Sequence, residues 1–256
     1  MWEEVAEKIA SATGLPFELK GKQSVSGGCI NDTQRLVGLN GKSYFAKANS
    51  ADFLALFEAE AAGLTEIALT QTIRVPEPIC SGIVNNRSYI VLEYIEMGSS
   101  SVNSQHQLGK GLANLHQIKQ EHFGWTRDNA IGATPQPNLP SEDWPSFYRE
   151  HRLRHQFNLA STHGKNFAGT VELLNHIPLF FRDYRPQPSL LHGDLWGGNA
   201  GCDSDGQPFV FDPATYYGDR EADIAFTYMF GGFSAQFYDA YDGVFPLDPG
   251  FQIRKT

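Results

Sequence analysis

The sequence is poor in cysteine, and its few thiols are scattered. Cys29, Cys80 and Cys202 are the three cysteines among 256 residues, and they form no Cys-x-x-Cys pair. An odd number of widely separated cysteines is typical of reduced thiols and does not suit a disulfide framework or a thiolate metal site. We therefore expect an intracellular, cytoplasmic protein.

Basic residues are also scarce, and long apolar runs are missing. The chain carries 20 Lys and Arg against 29 Asp and Glu, a formal net charge of −9. This acidic balance, without any block of Lys or Arg, argues against binding to nucleic acid or to an anionic membrane surface. No apolar run approaches the roughly 18 residues of a membrane span, and residues 1–5 do not begin a signal peptide. We expect no membrane association.

One stretch concentrates the polar groups that phosphoryl transfer requires. The segment Leu190–Asp194 ends in His-Gly-Asp; Asn199 follows five positions after Asp194, and Asp212 eighteen positions after it. Magnesium-dependent transfer needs one carboxylate at the attacking hydroxyl, and an amide oxygen and a second carboxylate on the metal. These hard oxygen ligands suit Mg²⁺ better than Zn²⁺. The pattern predicts Asp194 as the catalytic residue and Asn199 and Asp212 as Mg²⁺ ligands.

These residues resemble a known family. His-Gly-Asp with Asn five residues after the Asp is similar to the catalytic loop of aminoglycoside phosphotransferases and choline kinases, which are relatives of the protein kinases. The longer form His-Gly-Asp-Leu-Trp-Gly-Gly-Asn at 192–199, with Phe-Asp-Pro-Ala at 211–214 and Gly-Asp-Arg-Glu-Ala-Asp at 218–223, resembles the fructosamine/ketosamine kinase family. The resemblance covers almost the whole chain, and its elements occur in kinase order, so it is specific.

The resemblance implies an α+β, protein-kinase-like bilobal fold. The N-lobe, residues 1–95, would be an antiparallel sheet with a helix and would cover the nucleotide. The C-lobe, residues 96–256, would be mainly helical and would carry the catalytic loop, the metal and the acceptor site. Members of the family continue into further C-terminal helices, so we expect a C-terminal truncation in this chain.

The N-terminal patterns fit such a lobe. Periodicity predicts helices over 2–12 and 51–69 and strands over 22–25, 33–37, 43–47, 79–84 and 88–95. Gly27 and Gly28 lie between the first two strands, where the resemblance places backbone donors over the β- and γ-phosphates of ATP. A plain glycine-containing hairpin turn is the alternative.

Further nucleotide contacts follow from the resemblance. Lys47, at the end of the third strand, would contact the α- and β-phosphates, and a helix glutamate would pair with it. Glu60 has the better-matching surroundings, while Glu58 is left open as a competitor. Three residues resemble the hinge strand whose backbone would bond the adenine edge: Glu93, Tyr94 and Ile95.

The C-terminal part reads mainly as helix. Helices are predicted over 105–119, 144–159, 171–177 and 224–240, with Asp223 at the start of the last one. By family analogy Asp223 braces the catalytic loop's backbone. His116 reads as a packed helix-end histidine. His151 and His155 are one helical turn apart and could share a metal, but a solvated helix face is the favoured interpretation.

The acceptor side is predicted from one loop and one aromatic residue. Residues 123–138 form a polar loop too long to be a mere connection, and it resembles the family's own segment. We assign Asp128 and Asn129 in it to substrate contact, with a structural brace as the alternative. Trp196 would give the sugar a stacking face, or it is simply packed.

The family resemblance implies ATP- and Mg²⁺-dependent phosphorylation of a sugar hydroxyl on a ketosamine, such as a fructosyl- or ribulosyl-lysine adduct. That activity would repair glycated amines. The alternatives are a kinase of the same fold with an aminoglycoside- or choline-type acceptor, and a nucleotide-binding pseudoenzyme. The chain would be a monomer, or a homodimer linked by oxidation of Cys29 in the phosphate-covering loop.

Overall fold

The computed structural model describes residues 1–25 and 30–255. Its N-terminal part contains, in chain order, α1 (Trp2–Thr13), β1 (Leu19–Ser24), β2 (Asp32–Gly38), β3 (Ser43–Ser50), α2 (Leu54–Leu69), β4 (Pro78–Val84) and β5 (Arg87–Glu93). A 3₁₀ turn, Ala51–Phe53, leads into α2. The helices and strands predicted for this part are all present, with ends displaced by a few residues.

The five strands form one antiparallel sheet in the order β1-β2-β3-β5-β4. Asn85 and Asn86 both have positive φ, 51° and 59°, which is the backbone of a tight two-residue turn between β4 and β5. On the central strand β3, Lys47 pairs with Thr33 of β2 and Ile90 of β5. The backbone of Lys47 is therefore held from both sides.

Helix α1 covers one face of this sheet. Its buried residues Trp2, Val5, Ala6 and Ile9 recur at helical spacing. They pack against buried sheet residues that include Leu36, Tyr44 and Val91. The helix ends at Gly14, whose left-handed φ of 66° a side chain would disfavour.

The C-terminal part consists of helices and short strand pairs. It contains α3 (Val102–Leu115), β6 (Asn129–Ile131), β7 (Thr134–Gln136), α4 (Trp144–Phe147), α5 (His155–Thr162), α6 (Thr170–His176), β8 (Ser189–Leu191), β9 (Ala200–Cys202), β10 (Pro208–Val210), β11 (Tyr216–Gly218), α7 (Arg220–Phe230), α8 (Ala235–Val244) and α9 (Phe251–Arg254). Strands β6 and β7, β9 and β10, and β8 and β11 pair antiparallel. Over the described ranges, no helix is long and apolar enough to cross a membrane.

Several predicted helix ends are wrong, and local chemistry explains two of them. Helix α3 begins at Val102, three residues before the predicted start, because Ser101 and Ser104 form a reciprocal capping box. It ends at Leu115 rather than at Lys119. Helix α7 begins at Arg220 rather than at Asp223, because the Asp219 side chain accepts a hydrogen bond from the second helical N–H.

Two predicted helices are not regular. The predicted helix 144–159 contains a π-helical segment, Tyr148–Arg154, between α4 and α5. The predicted helix 224–240 is split, because Gly231 and Gly232 have φ of 69° and 101° and end α7 before α8 begins.

The largest core runs through both parts of the chain. It joins Leu64 of α2 and Ile90 of β5 to Leu112 of α3 and Leu191 of β8. Since this core crosses the predicted boundary between residues 95 and 96, that division of the chain stays a prediction. The end of β8, where the predicted catalytic loop begins, therefore shares its core with β5, the strand that pairs with the Lys47 strand.

Candidate active site

Three charged side chains meet at the junction of sheet, helix and loop. The Lys47 ammonium donates to Oε1 of Glu60 at 2.8 Å and to Oδ1 of Asp212 at 2.6 Å. Strand β3 supplies Lys47, helix α2 supplies Glu60, and the loop after β10 supplies Asp212. Glu58 is exposed on the same helix and does not join this cluster. Glu60 is therefore the partner of Lys47.

This cluster is strongly coupled by charge. Lys47 is only 4% exposed. Burial by itself would lower the pKa of Lys47, but the carboxylates of Asp212 and Glu60 raise it above its ordinary value. Burial raises the pKa of Glu60, and the Lys47 ammonium opposes that effect. The single Lys47 ammonium pairs with two carboxylates, and a phosphate group could bind the same ammonium.

Asp194 and Asn199 form one hydrogen-bonded unit in the loop between β8 and β9. The Asn199 amide nitrogen donates to the Asp194 carbonyl oxygen at 2.8 Å and to its Oδ2 at 3.0 Å. Burial, the largest influence, raises the pKa of Asp194 to about 6, although the Asn199 hydrogen bond opposes it. The negative charges of Asp212 and Asp223 act in the same direction as burial. A carboxylate whose pKa is raised toward neutral pH suits a general base.

The buried imidazole of His192 connects the two loops of the site. Its Nε2 lies 3.0 Å from the Phe211 carbonyl oxygen, and the backbone N–H of Asp194 approaches its Nδ1 at 3.3 Å. A carbonyl can only accept, so Nε2 carries the proton and Nδ1 accepts. Burial lowers the pKa of His192, which favours this neutral form. The backbone beside Asp212 is thereby tied to the backbone of Asp194.

Asp223 holds the turn of the catalytic loop from below. This residue of α7 is 2% exposed. Its Oδ2 accepts from the His192 backbone N–H at 2.7 Å and its Oδ1 from the Gly193 N–H at 2.9 Å. Gly193 has φ of 84°, and a Cβ there would overlap the carbonyl oxygen of Ala214. The arrangement explains why glycine separates the His from the Asp, and it agrees with the bracing role implied for Asp223.

The donor set fits a magnesium ion. Within the described residues, Oδ1 of Asn199 and Oδ2 of Asp212 have no hydrogen-bond partner. The backbone N–H of Phe211 donates to the Asn199 carbonyl at 3.0 Å, which ties the backbone of Asn199 to the residue before Asp212. Asp212 has a φ of 57°, which is uncommon for a residue other than glycine. Such backbone conformations often accompany a local function. Both oxygens are of the hard type that Mg²⁺ prefers.

The predicted hinge residues lie at the end of β5. Glu93 is the last residue of the strand; its carboxylate pairs with Arg74 at 2.9 Å and its N–H donates to the Glu77 carbonyl. The Tyr94 ring lies 4.3 Å from the Arg35 guanidinium. Ile95 makes no backbone hydrogen bond to any part of the chain that the structure describes. The contact of this backbone with adenine therefore stays a prediction.

Asn129, assigned to substrate contact, is engaged with the protein itself. It is 5% exposed, and its amide nitrogen donates to the Thr215 carbonyl at 2.7 Å. Its Oδ1 accepts from the amide groups of Gln136 and Asn138. This geometry favours the structural-brace alternative for Asn129. Asp128 beside it is exposed, although its Oδ1 accepts from the Asn138 backbone N–H at 2.8 Å.

Trp196 lies at the surface, within the catalytic loop. It is 40% exposed, and its ring centroid is 6.2 Å from that of Phe230. The N–H of Gly197 donates to the Gly231 carbonyl at 3.3 Å, so the loop rests on the end of α7. An exposed indole face two residues from Asp194 is available to a ligand.

Sequence reasoning missed two side chains that position the site. Glu66 of α2 accepts from the Trp125 indole N–H at 2.7 Å and from the Tyr217 hydroxyl at 2.8 Å. The Arg152 guanidinium lies 4.1 Å from the Tyr216 ring and donates to the Pro137 carbonyl. These donors and acceptors are far apart in sequence, and no local pattern marks them.

The remaining assignments divide into three groups. Gly27, Gly28 and Cys29 lie outside the described residues, so the phosphate contacts and the disulfide-linked dimer stay predictions. His116 is buried and hydrogen-bonded, as expected of a packed histidine. His155 binds the Pro135 carbonyl at 2.9 Å, and the described part of the chain holds no cluster of three His, Cys, Asp or Glu suited to a metal.

Related sequences share this framework. A probable ketoamine kinase from Synechocystis is 46% identical over 255 residues, which is 99% of this chain and 86% of that protein. A chloroplastic protein-ribulosamine 3-kinase from Arabidopsis thaliana is 41% identical over 239 residues, 91% of this chain and 72% of that protein.

Solved structures and a family model agree with these relatives. A candidate fructosamine-3-kinase from Haemophilus somnus superposes with a TM-score of 0.93 at 30% identity, covering 100% of this chain and 86% of that one. A choline kinase from Streptococcus pneumoniae superposes with a TM-score of 0.61 at 17% identity, over 97% of this chain and 81% of that one, which confirms the protein-kinase-like α+β fold alone. The family model described as fructosamine kinase matches residues 1–256. With the catalytic loop, the lysine–glutamate pair and the second aspartate already in place, these matches show that the chain belongs to the fructosamine kinase family.

Proposed function

We propose that this protein transfers the γ-phosphoryl group of ATP to a sugar hydroxyl of a ketosamine, such as a fructosyl or ribulosyl adduct of a lysine amine. One observation carries the proposal. In a chain of this family, the Asn199 side chain donates to the half-buried Asp194, and the Asn199 backbone carbonyl accepts from the N–H of Phe211. The next residue, Asp212, is bound to Lys47. An acceptor base and a phosphate-binding cation therefore face one site.

The residues divide the work of phosphoryl transfer. Asp194 would orient the acceptor hydroxyl and take its proton, and a loose transition state does not require a strongly basic carboxylate. Lys47, held by Glu60, would bind the α- and β-phosphates. Asn199 and Asp212 would hold Mg²⁺, which, when bound, neutralises charge on the phosphate oxygens.

The other predicted contacts complete this proposal. The backbone from Glu93 to Ile95 would bind adenine, and Gly27 and Gly28 would lie over the phosphates. Trp196 would stack on the sugar, and the exposed Asp128 remains the candidate in its loop for contact with the amine. We also propose a cytoplasmic location, on the basis of the scattered cysteines.

The names of the relatives favour a ketosamine over other acceptors. Ketoamine and ribulosamine kinases are 46% and 41% identical to this chain. The choline kinase and the aminoglycoside-3'-phosphotransferase are 17% and 15% identical, a level at which similarity speaks for fold only. A non-catalytic nucleotide-binding role has no need of Lys47, Asp194, Asn199 and Asp212 together.

Phosphorus NMR tests the proposal directly. The protein with Mg-ATP and ribulosyl- or fructosyl-lysine should produce a new sugar-phosphate resonance. Asp194→Asn keeps the size of the side chain but removes the base, so turnover should fall by about 10³-fold while ATP binding persists. The matched control is Asp205→Asn, an exposed aspartate in the turn between β9 and β10.

Each result has a distinct meaning. Wild-type turnover that survives in Asp194→Asn would contradict the role of Asp194. Bound ATP without any sugar phosphate, in the wild-type protein, would contradict the ketosamine acceptor and favour another acceptor or a non-catalytic nucleotide-binding role.

A further inference from the structure

A buried chain of hydrogen bonds leads from helix α8 to the catalytic loop, and the chemistry above does not use it. The Tyr241 hydroxyl lies 2.8 Å from Nδ1 of His116, and Nε2 of His116 lies 3.2 Å from Oδ2 of Asp223. Asp223 also accepts from the backbone N–H groups of His192 and Gly193. His116 is 0% exposed and Tyr241 1%, so water does not substitute for any of these partners.

The direction of each hydrogen bond follows from the groups at the two ends of this hydrogen-bonded series. Arg220 can only donate, and its Nη1 lies 3.1 Å from the Tyr241 hydroxyl oxygen. The Tyr241 proton is therefore free to point at Nδ1 of His116. Asp223 at the other end accepts, so the imidazole proton must be on Nε2. Asp223 thus sets the tautomer in which His116 donates to it, and the Tyr241 hydroxyl donates to the unprotonated Nδ1.

The charge states agree with this direction. Burial lowers the pKa of His116 although Asp223 opposes the effect, so the imidazole is neutral and its tautomer matters. Burial would raise the pKa of Asp223, but the hydrogen bonds from His116 and from the Gly193 N–H hold it below its usual range. An ionised carboxylate buried at this depth needs all its donors.

We propose that His116 and Tyr241 are positioning residues for phosphoryl transfer. His116 supplies the third donor to Asp223, and the fully paired Asp223 fixes the two N–H groups immediately before Asp194. The orientation of the Asp194 carboxylate therefore depends on two side chains that do not touch it. This inference rests on the catalytic role proposed for Asp194.

The effect should appear in turnover and not in nucleotide binding. Neither His116 nor Tyr241 contacts the Lys47 cluster, which is held by its own ion pairs. Both residues also lie in the α3–α8 contact, where a Cβ on Gly109 would overlap the Phe237 carbonyl. Because His116 and Tyr241 also pack between these helices, the test has to separate an effect on kcat from an effect on folding stability.

Kinetics of four variants make this separation. Tyr241→Phe should lower kcat by about fivefold and His116→Leu by about 50-fold, each with the KM for ATP within twofold of wild type. His116→Gln should recover most of the loss in His116→Leu, because its amide can donate to Asp223. His106→Gln, an exposed histidine on the same helix, is the control and should match wild type. Rates are expressed per ATP-binding site, so that unfolded protein does not count.

Nitrogen-15 NMR of the histidine side chains tests the tautomer without any turnover. The wild-type protein should show His116 protonated on Nε2 alone, and Tyr241→Phe should shift that signal and the amide signals of His192 and Gly193. A His116 proton on Nδ1, or unchanged kcat per ATP-binding site in both Tyr241→Phe and His116→Leu, would overturn the inference. A wild-type protein with the Nε2 tautomer but no turnover would instead count against the proposed function.

Discussion

The Lys47 cluster, which we propose as the nucleotide side of the site, and the predicted catalytic loop are held in place by different interactions. On the nucleotide side, Lys47, Glu60 and Asp212 come from three separate elements and meet through side-chain ion pairs. In the catalytic loop, Asp194 is placed by backbone N–H groups that bind the buried carboxylate of Asp223. The first cluster depends on charge, the second on backbone geometry.

This difference suits the two tasks. A lysine ammonium on a flexible stem can exchange a carboxylate oxygen for a phosphate oxygen when a ligand enters. A general base must instead keep one orientation toward the acceptor hydroxyl, because small displacements from reactive geometry are costly to rate. Mutations in the two regions should therefore fail in different ways.

The largest effect is expected from Asp223→Asn. The side-chain NH₂ of the new Asn would face the N–H groups of His192 and Gly193, which are donors themselves, and would leave a buried N–H unpaired. The free energy of unfolding should fall by about 3 kcal/mol, and turnover should be lost in the protein that remains folded. Urea denaturation and kcat measure the two losses. Asp239→Asn, exposed on α8, is the control, and an equal loss of stability there would remove the argument.

An intermediate effect is expected from Lys47→Met. The change leaves two neighbouring carboxylates without their cation, so kcat/KM for ATP should drop by roughly 10²-fold or more. The smaller change Glu60→Gln should lower it by about tenfold, and Glu58→Gln, two positions away and exposed, should not change it. If Glu58→Gln and Glu60→Gln were equivalent in ATP kinetics, the ion pair would not explain how Lys47 is positioned.

The smallest effect is expected from pH. Burial raises the pKa of Asp194 to about 6, and a base must be deprotonated to act. The acidic limb of kcat/KM should therefore bend near pH 6, falling tenfold per pH unit below it and changing little above pH 7. A pH–rate profile with stability checked at each point measures the limb. A bend near pH 4 would show that burial does not tune Asp194.

Side chains grouped closely in sequence were predictable. The His-Gly-Asp turn, Asn199 and Asp212 lie within one short stretch, and β3 places Lys47 at a predictable position on a strand. The choice between Glu58 and Glu60 was harder. Residues two apart on a helix are rotated by about 200°, so the two side chains lie on different faces, and the sequence does not say which face meets Lys47. Both follow an apolar neighbour in sequence, and the packing of α2 against the sheet brings Glu60 alone to Lys47.

The predictions of helix ends were wrong where the sequence signal was weak or contradictory. Ser101 and Ser104 cap α3 although the usual capping box has Glu or Gln at its second position. The Gly231-Gly232 pair divides a stretch whose composition otherwise favours helix. In each case one or two backbone conformations outweighed the periodicity around them.

The sequence by itself determined the local elements and the chemistry, because hydrophobic period, turn residues and ligand types act over a few positions. It thus predicted a kinase-type loop, a strand lysine and oxygen ligands for magnesium. Only the tertiary structure decided which distant groups complete each hydrogen bond. Asp223 and Tyr241 lie 107 and 125 residues from His116, and Glu66 lies 151 residues from Tyr217. Such pairs form only when burial of the core brings their elements together, and no short-range pattern encodes them.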